Sequence, residues 1–177
     1  MKKILAALLI CAFFLTFKPL EYVHSEELYR EMYASVVVKP TFKLSLDNAN
    51  INFGYVGPGK SVELYPEKNY NEIKCVSNKG AKWYLRLSVI GDIVAPRGGN
   101  VAIDCFKWMI TSSTGDGVTE RGWHSFTESP AEAYESGPND MAGEEATIRL
   151  KYKLDLPKNS LGGNYGLKVL YTMTEAP

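Results

Sequence analysis

Nucleophilic, metal and glycosidic chemistry each require particular side chains, and this chain is poor in them. It has two histidines in 177 residues, His24 and His124. Only His124 lies outside the apolar leader described below, so a Ser or Cys nucleophile has one candidate base. Serines lie near His124, but no Gly-x-Ser-x-Gly turn is present to expose one of them. Zinc needs three or four His or Cys ligands at suitable spacing; Cys75, Cys105 and His124 do not supply it. Asp116 with Glu120, and Asp140 with Glu144 and Glu145, are acidic groups in loop-like sequence, yet neither fits a twelve-residue calcium loop. Two carboxylates flanking a sugar bond are the remaining catalytic option, and no pair stands out. No cofactor is implied, and the expectation is a protein that is not an enzyme.

Aromatic side chains offer a different kind of chemistry. Trp123, His124 and Phe126 sit together in irregular sequence, where exposed rings stack on sugars or anchor a partner protein. The alternative is that such rings lie over a sheet edge and seal the core. Cys75 and Cys105 are the two cysteines beyond the leader, an even number that permits a disulfide in an oxidising compartment. Strand parity complicates the bridge. Cys75 shares its face with Ile73, whereas Cys105 is out of phase with Phe106, Trp108 and Ile110. Both thiols face inward only with a bulge near Asp104; otherwise they are separate small hydrophobes.

The leader itself is legible. Lys2 and Lys3 precede an apolar run from Ile4 to Phe17, the pattern of a secretory signal peptide. At fourteen residues the run falls short of the roughly 20 needed to span a bilayer. Val23-His24-Ser25 places the expected cleavage after Ser25, giving a signal peptide over 1–25. No membrane span is expected after cleavage, and the protein is expected to be secreted, periplasmic or on the cell surface. Removing Lys2, Lys3, Lys18 and Glu21 with the leader leaves 17 basic and 19 acidic side chains of the original 20 and 20. A chain so near neutrality, with no basic block, lacks the electrostatic footprint of a nucleic-acid binder.

The elements that must position any site read as strands. Trp83, Leu85, Leu87 and Val89 alternate with Tyr84, Arg86 and Ser88. Ile148, Leu150, Tyr152, Leu154 and Leu156 alternate with charged or polar neighbours, and the last strand repeats the period with Tyr165, Leu167, Val169, Tyr171 and Met173. This period of two marks half-buried strands. Phe42, Leu44 and Leu46 repeat it, and shorter candidates fall at 35–38, 50–53, 61–64, 71–77 and 101–110. Gly, Pro and Asn punctuate the gaps as turn chemistry requires. A long irregular stretch over 112–143 is expected to hold one further strand near 131–135, and a short helix is conceivable at 26–33. The expectation is an all-β, immunoglobulin-like antiparallel sandwich of about eight or nine strands over 41–177, preceded by an extension or first strand at 26–40.

Three stretches together carry a resemblance: Ile51-Asn52-Phe53-Gly54-Tyr55-Val56-Gly57-Pro58-Gly59; Ile73-Lys74-Cys75-Val76-Ser77-Asn78 leading into Trp83-Tyr84-Leu85; and Tyr152-Lys153-Leu154-Asp155-Leu156-Pro157 followed by Gly162-Gly163-Asn164-Tyr165. In this order the chain resembles exported bacterial β-sandwich domains of the spore coat protein U type, and more distantly chaperone–usher pilins and WxL surface domains. The resemblance implies a structural or adhesive subunit with protein partners or self-association. It also implies assembly in which an N-terminal segment completes a neighbour's sheet, with Ser35, Val36, Val37 and Val38 as the donor candidate. That run of valines departs from strict alternation, and the closing strand lacks the penultimate Tyr of a pilin. The alternative function is a carbohydrate-binding surface module using Trp123 and its neighbours.

Overall fold

Alternating side chains need two faces, and the chain supplies them by stacking two antiparallel sheets. The computed structural model describes residues 32, 34–64, 70–94 and 99–176. The chain divides into two units, Met1–Val37 and Val38–Pro177. The expected signal peptide and the helix considered at 26–33 fall outside the described residues, Met32 excepted.

The larger unit carries eleven strands among its described residues: β1 (Phe42–Leu46), β2 (Ser61–Leu64), β3 (Asn71–Ser77), β4 (Tyr84–Val94), β5 (Asn100–Val101), β6 (Phe106–Ser113), β7 (Val118–Thr119), β8 (His124–Ser125), β9 (Ala131–Glu135), β10 (Glu145–Asp155) and β11 (Gly166–Thr174). One sheet runs β1-β3-β10-β6-β8, with β2 also on β10; the other runs β11-β4-β9-β7, with β5 on β4. Every ladder is antiparallel. The fold is the expected all-β sandwich, with two-residue strands accounting for the larger strand number.

Its core is built from the predicted stripes. Trp83, Leu85, Leu87 and Val89 from one sheet meet Ile73, Cys75, Trp108, Ile148, Leu150 and Tyr152 from the other. The irregular 112–143 stretch is ordered by the end of β6, by β7, β8 and β9, and by one helical turn, α1 (Pro138–Met141). A buried polar knot fastens that turn. Asp140 is almost wholly buried. Its Oδ2 accepts the Tyr134 hydroxyl at 2.5 Å and the Gly137 N–H at 2.9 Å. Asp116 in turn accepts the N–H of Asn139 at 3.1 Å.

Several expectations are corrected. Residues 35–38 form no strand, and Val36, Val37 and Val38 are exposed. Residues 50–53 form no strand either: Asn48 Oδ1 accepts the Asn50 N–H at 2.9 Å and Asn52 Oδ1 accepts the Gly54 N–H at 2.8 Å. Such local bonds satisfy the backbone without a ladder. The 101–110 run is broken by a 3-10 turn at Ile103–Cys105, which takes Cys105 off the alternation of β6.

Candidate functional site

The two sheets do not close on each other along one flank. β3 and β2 lie end to end on the same side of β10, β3 against Glu145–Leu150 and β2 against Tyr152–Asp155. β1 flanks β3 only. Opposite, β11 pairs with β4 on one side and, among the described residues, with no strand on the other. The result is an open groove of about 1390 Å³ between β11 and the 47–60 segment. Ile51, Phe53, Leu154, Leu156, Leu167 and Val169 line it, and each is only half-buried. Leu154, Leu167 and Val169 face inward by strand parity, so the groove is a stretch of core that the described residues leave without a cover.

The groove reaches as far as the end of β1. Leu46, the last residue of β1, and Tyr171 of β11 both line it, whereas Met173 does not. Tyr171 reaches across the sandwich, its hydroxyl 2.6 Å from that of Tyr152. Asn71 donates from Nδ2 to the Tyr152 hydroxyl at 3.1 Å. Burial, then the neighbouring Tyr152 hydroxyl, raise the Tyr171 phenol well above its ordinary range. Burial likewise raises Tyr152, although its bonds to Tyr171 and Asn71 oppose the shift. The Asn71 carboxamide oxygen is buried without a hydrogen-bond partner among the described residues. Sequence reasoning missed this trio, since Asn71 opens a strand like any polar residue and only the fold sets it facing two tyrosines.

The wall of the groove is braced by Asp155. Its Oδ1 accepts the Ser61 hydroxyl of β2 at 2.5 Å, and its Oδ2 lies 2.9 Å from Lys107 Nζ of β6. Burial acts to raise this carboxyl, but the Ser61 hydroxyl and the Lys107 ammonium outweigh it and hold it below its ordinary value.

The aromatic candidates separate. Phe126 is buried and stacks on Phe106 with centroids 4.5 Å apart. It is core, not a binding surface, because the Phe126 N–H bonds the Phe106 carbonyl at 2.9 Å and turns the ring inward. His124 stacks on the buried Trp108 at 4.7 Å, with Nε2 3.1 Å from the Arg121 carbonyl oxygen. Trp123 and His124 both stay half-exposed, with Lys153 Nζ 5.9 Å from the Trp123 ring centre.

The cysteine pair is also corrected: both thiols are free. Cys75 faces Ala146 across the β3–β10 ladder, whereas Phe106, the neighbour of Cys105, faces Leu154. Eight residues of β10 thus separate the two levels, roughly 26 Å at the usual rise, far beyond the ~4.4–6.8 Å between Cα atoms that a disulfide tolerates. Burial, then Asp140 and Glu145, push the Cys75 thiol up to about 12, so it is inert as a nucleophile. Among the described residues no group of three His, Cys, Asp or Glu is placed to hold a metal, and no helix is long and apolar enough to cross a membrane.

No protein-family model matches the chain, and no curated protein matches it. Among solved structures it is similar to part of a family 123 glycoside hydrolase from Clostridium perfringens, with a TM-score of 0.41 and 13% identity over 77% of this chain and 25% of that one. The chain spans about a quarter of that hydrolase's length, and a likeness this slight carries no argument about activity.

Proposed function

We propose that this chain is an exported, non-enzymatic structural or adhesive subunit that assembles by strand insertion. The observation that carries the reading is the uncovered flank: among the described residues β11 has a free edge, and the inward side chains beside it are half-exposed over the groove. A free strand edge is ordinarily blunted or covered, because it templates pairing with other chains. An added strand would satisfy the main chain of β11 and bury the groove's side chains together. The chain also carries an unpaired apolar segment: Val36, Val37 and Val38 are 85%, 91% and 73% exposed. The family resemblance and the leader point the same way. A carbohydrate-binding role has less support, since Phe126 is core and the His124 ring is already stacked on the buried Trp108.

Light scattering on the protein from Glu26 onward, with and without residues 26–40, tests the reading. Oligomers that collapse to monomer on truncation are expected. A monomer in both forms overturns it.

A further inference from the structure

This inference goes beyond strand insertion and does not rest on it. We infer that the cleft behind β11 takes the hydrocarbon chain of a long-chain fatty acid, with its carboxylate held at the mouth beside Lys168.

Depth selects hydrocarbon. The groove does not stop at the edge of β11, because Ile93 of β4 and Phe106 of β6, both buried, belong to its lining. Both strands lie behind the edge, so the opening runs between the sheets. The main chain at that depth is already engaged. Ile93 pairs with Val101 of β5, and on the other side β11 pairs Lys168 with Ile90 and Gly166 with Val94. Phe106 pairs with Leu154 of β10, and its carbonyl accepts the Phe126 N–H at 2.9 Å. A polypeptide backbone entering this space would bury its N–H and C=O groups without partners, a cost that an alkyl chain does not carry.

The mouth selects the head group. Asn50, Asn52 and Asn164 are exposed, whereas Ile51, Leu154, Leu156, Leu167 and Val169 are half-buried, so the polar part of the lining lies outermost. Lys168, also exposed, is the one charged residue of the lining among the described residues, and it enters none of their ion pairs. The acids next to the walls in sequence are engaged elsewhere. Asp47 Oδ1 accepts the Glu72 N–H at 2.9 Å, and Asp155 holds Ser61 and Lys107. A carboxylate head therefore meets one cation and no competing anion.

The remaining wall can yield. Residues 48–58 are tied at their flanks, where the Asp47 N–H donates to the Glu72 carbonyl at 3.0 Å and the Gly59 N–H to the Pro157 carbonyl at 3.1 Å. Between these ties the hydrogen bonds are local. Phe53 closes on the floor only through its ring, set edge-on to Phe106 with centroids 5.7 Å apart. That contact can be exchanged for an alkyl chain without breaking a ladder. Because an inserted strand would use the same Leu167 and Val169 side chains, the two occupants exclude each other.

The test is isothermal titration calorimetry of the protein from Glu26 onward with octanoate, decanoate and dodecanoate, each below its micellar concentration. One equivalent per chain is expected, tightening about five- to fifteenfold for each two methylenes added, the upper figure being full burial. Phe53→Asp, outside both sheets, puts a desolvated carboxylate on the wall and is expected to weaken dodecanoate by at least about tenfold. Lys168→Gln is expected to weaken it about threefold, the scale of an exposed charge pair; an unchanged affinity overturns the placement of the head. No binding of dodecanoate by a monomeric chain, affinities independent of chain length, several equivalents per chain, or a Phe53→Asp variant that binds like the parent each overturn the inference. Where the chain oligomerises, saturating dodecanoate is expected to release monomer, and oligomers left intact overturn the inference while strand insertion stands. A chain that binds dodecanoate as expected and is monomeric with and without residues 26–40 overturns strand insertion and keeps the fatty acid.

Discussion

Tyr134→Phe isolates the buried knot that holds the β9–β10 connection in place. Tyr134 is fully buried beside Trp83. Its hydroxyl does two jobs: it donates to Asp140 Oδ2 at 2.5 Å and accepts the Gly117 N–H at 2.9 Å. Phenylalanine keeps the ring and removes both bonds. A hydrogen bond to a charged group contributes about 1.5–3 kcal/mol, and leaving the part-buried Gly117 N–H without its partner costs no more than the about 1–3 kcal/mol of a stranded buried donor. The two losses share one oxygen and overlap, so the expected destabilisation is about 2–4 kcal/mol. For a domain of this size that corresponds to a fall in Tm of roughly 5–15 °C. Urea unfolding followed by far-UV circular dichroism reads it directly, with Tyr171→Phe as a comparison. Tyr171 exchanges a bond with the neutral Tyr152 hydroxyl, so its loss should cost only about 1 kcal/mol. A Tyr134→Phe effect below about 0.5 kcal/mol, or one no larger than that of Tyr171→Phe, would refute the claim that Asp140 depends on this donor.

Three further outcomes follow from the same geometry. Mass spectrometry after alkylation without reductant should find Cys75 and Cys105 both modified once the protein is unfolded, with Cys75 protected in the native state; a recovered Cys75–Cys105 bridge would contradict the β3–β10–β6 register. Asp155 has a depressed folded pKa, so its contribution is present above the unfolded value of about 3.9 and is lost as pH falls through the lower folded value. Acid titration of stability should therefore be shallower in Asp155→Asn than in the parent, and identical acid limbs would remove Asp155 from the account. Phe126→Ala should cost about 3–5 kcal/mol as a core truncation, whereas Trp123→Ala should stay near or below about 1 kcal/mol. Equal losses would make Trp123 a core residue as well.

The strands were legible wherever alternation coincided with a ladder. β9 falls at 131–135 as expected, and Trp83, Leu85, Leu87, Ile148, Leu150 and Tyr152 are buried because their parity turns them between the sheets. Ile51 and Phe53 show why the same signal misleads. They alternate and face inward, yet asparagine side chains satisfy the local backbone and no strand forms. Phe126 errs in the opposite direction, since nothing in its irregular surroundings announces that β8 will set it on Phe106. Cys105 was ambiguous for a related reason: a single 3-10 turn resets the parity that links it to Phe106. The groove lay furthest from view. Leu154, Leu156, Leu167 and Val169 read as core because period two reports which way a side chain turns, not whether another layer lies over it. Cover is decided by strand order, here by β2 and β3 sharing one side of β10 while β11 ends its sheet. A stripe that the sequence marks as inward and the topology leaves bare is thus the kind of contradiction a second chain can resolve, and the uncovered flank beside β11 is where this fold presents it.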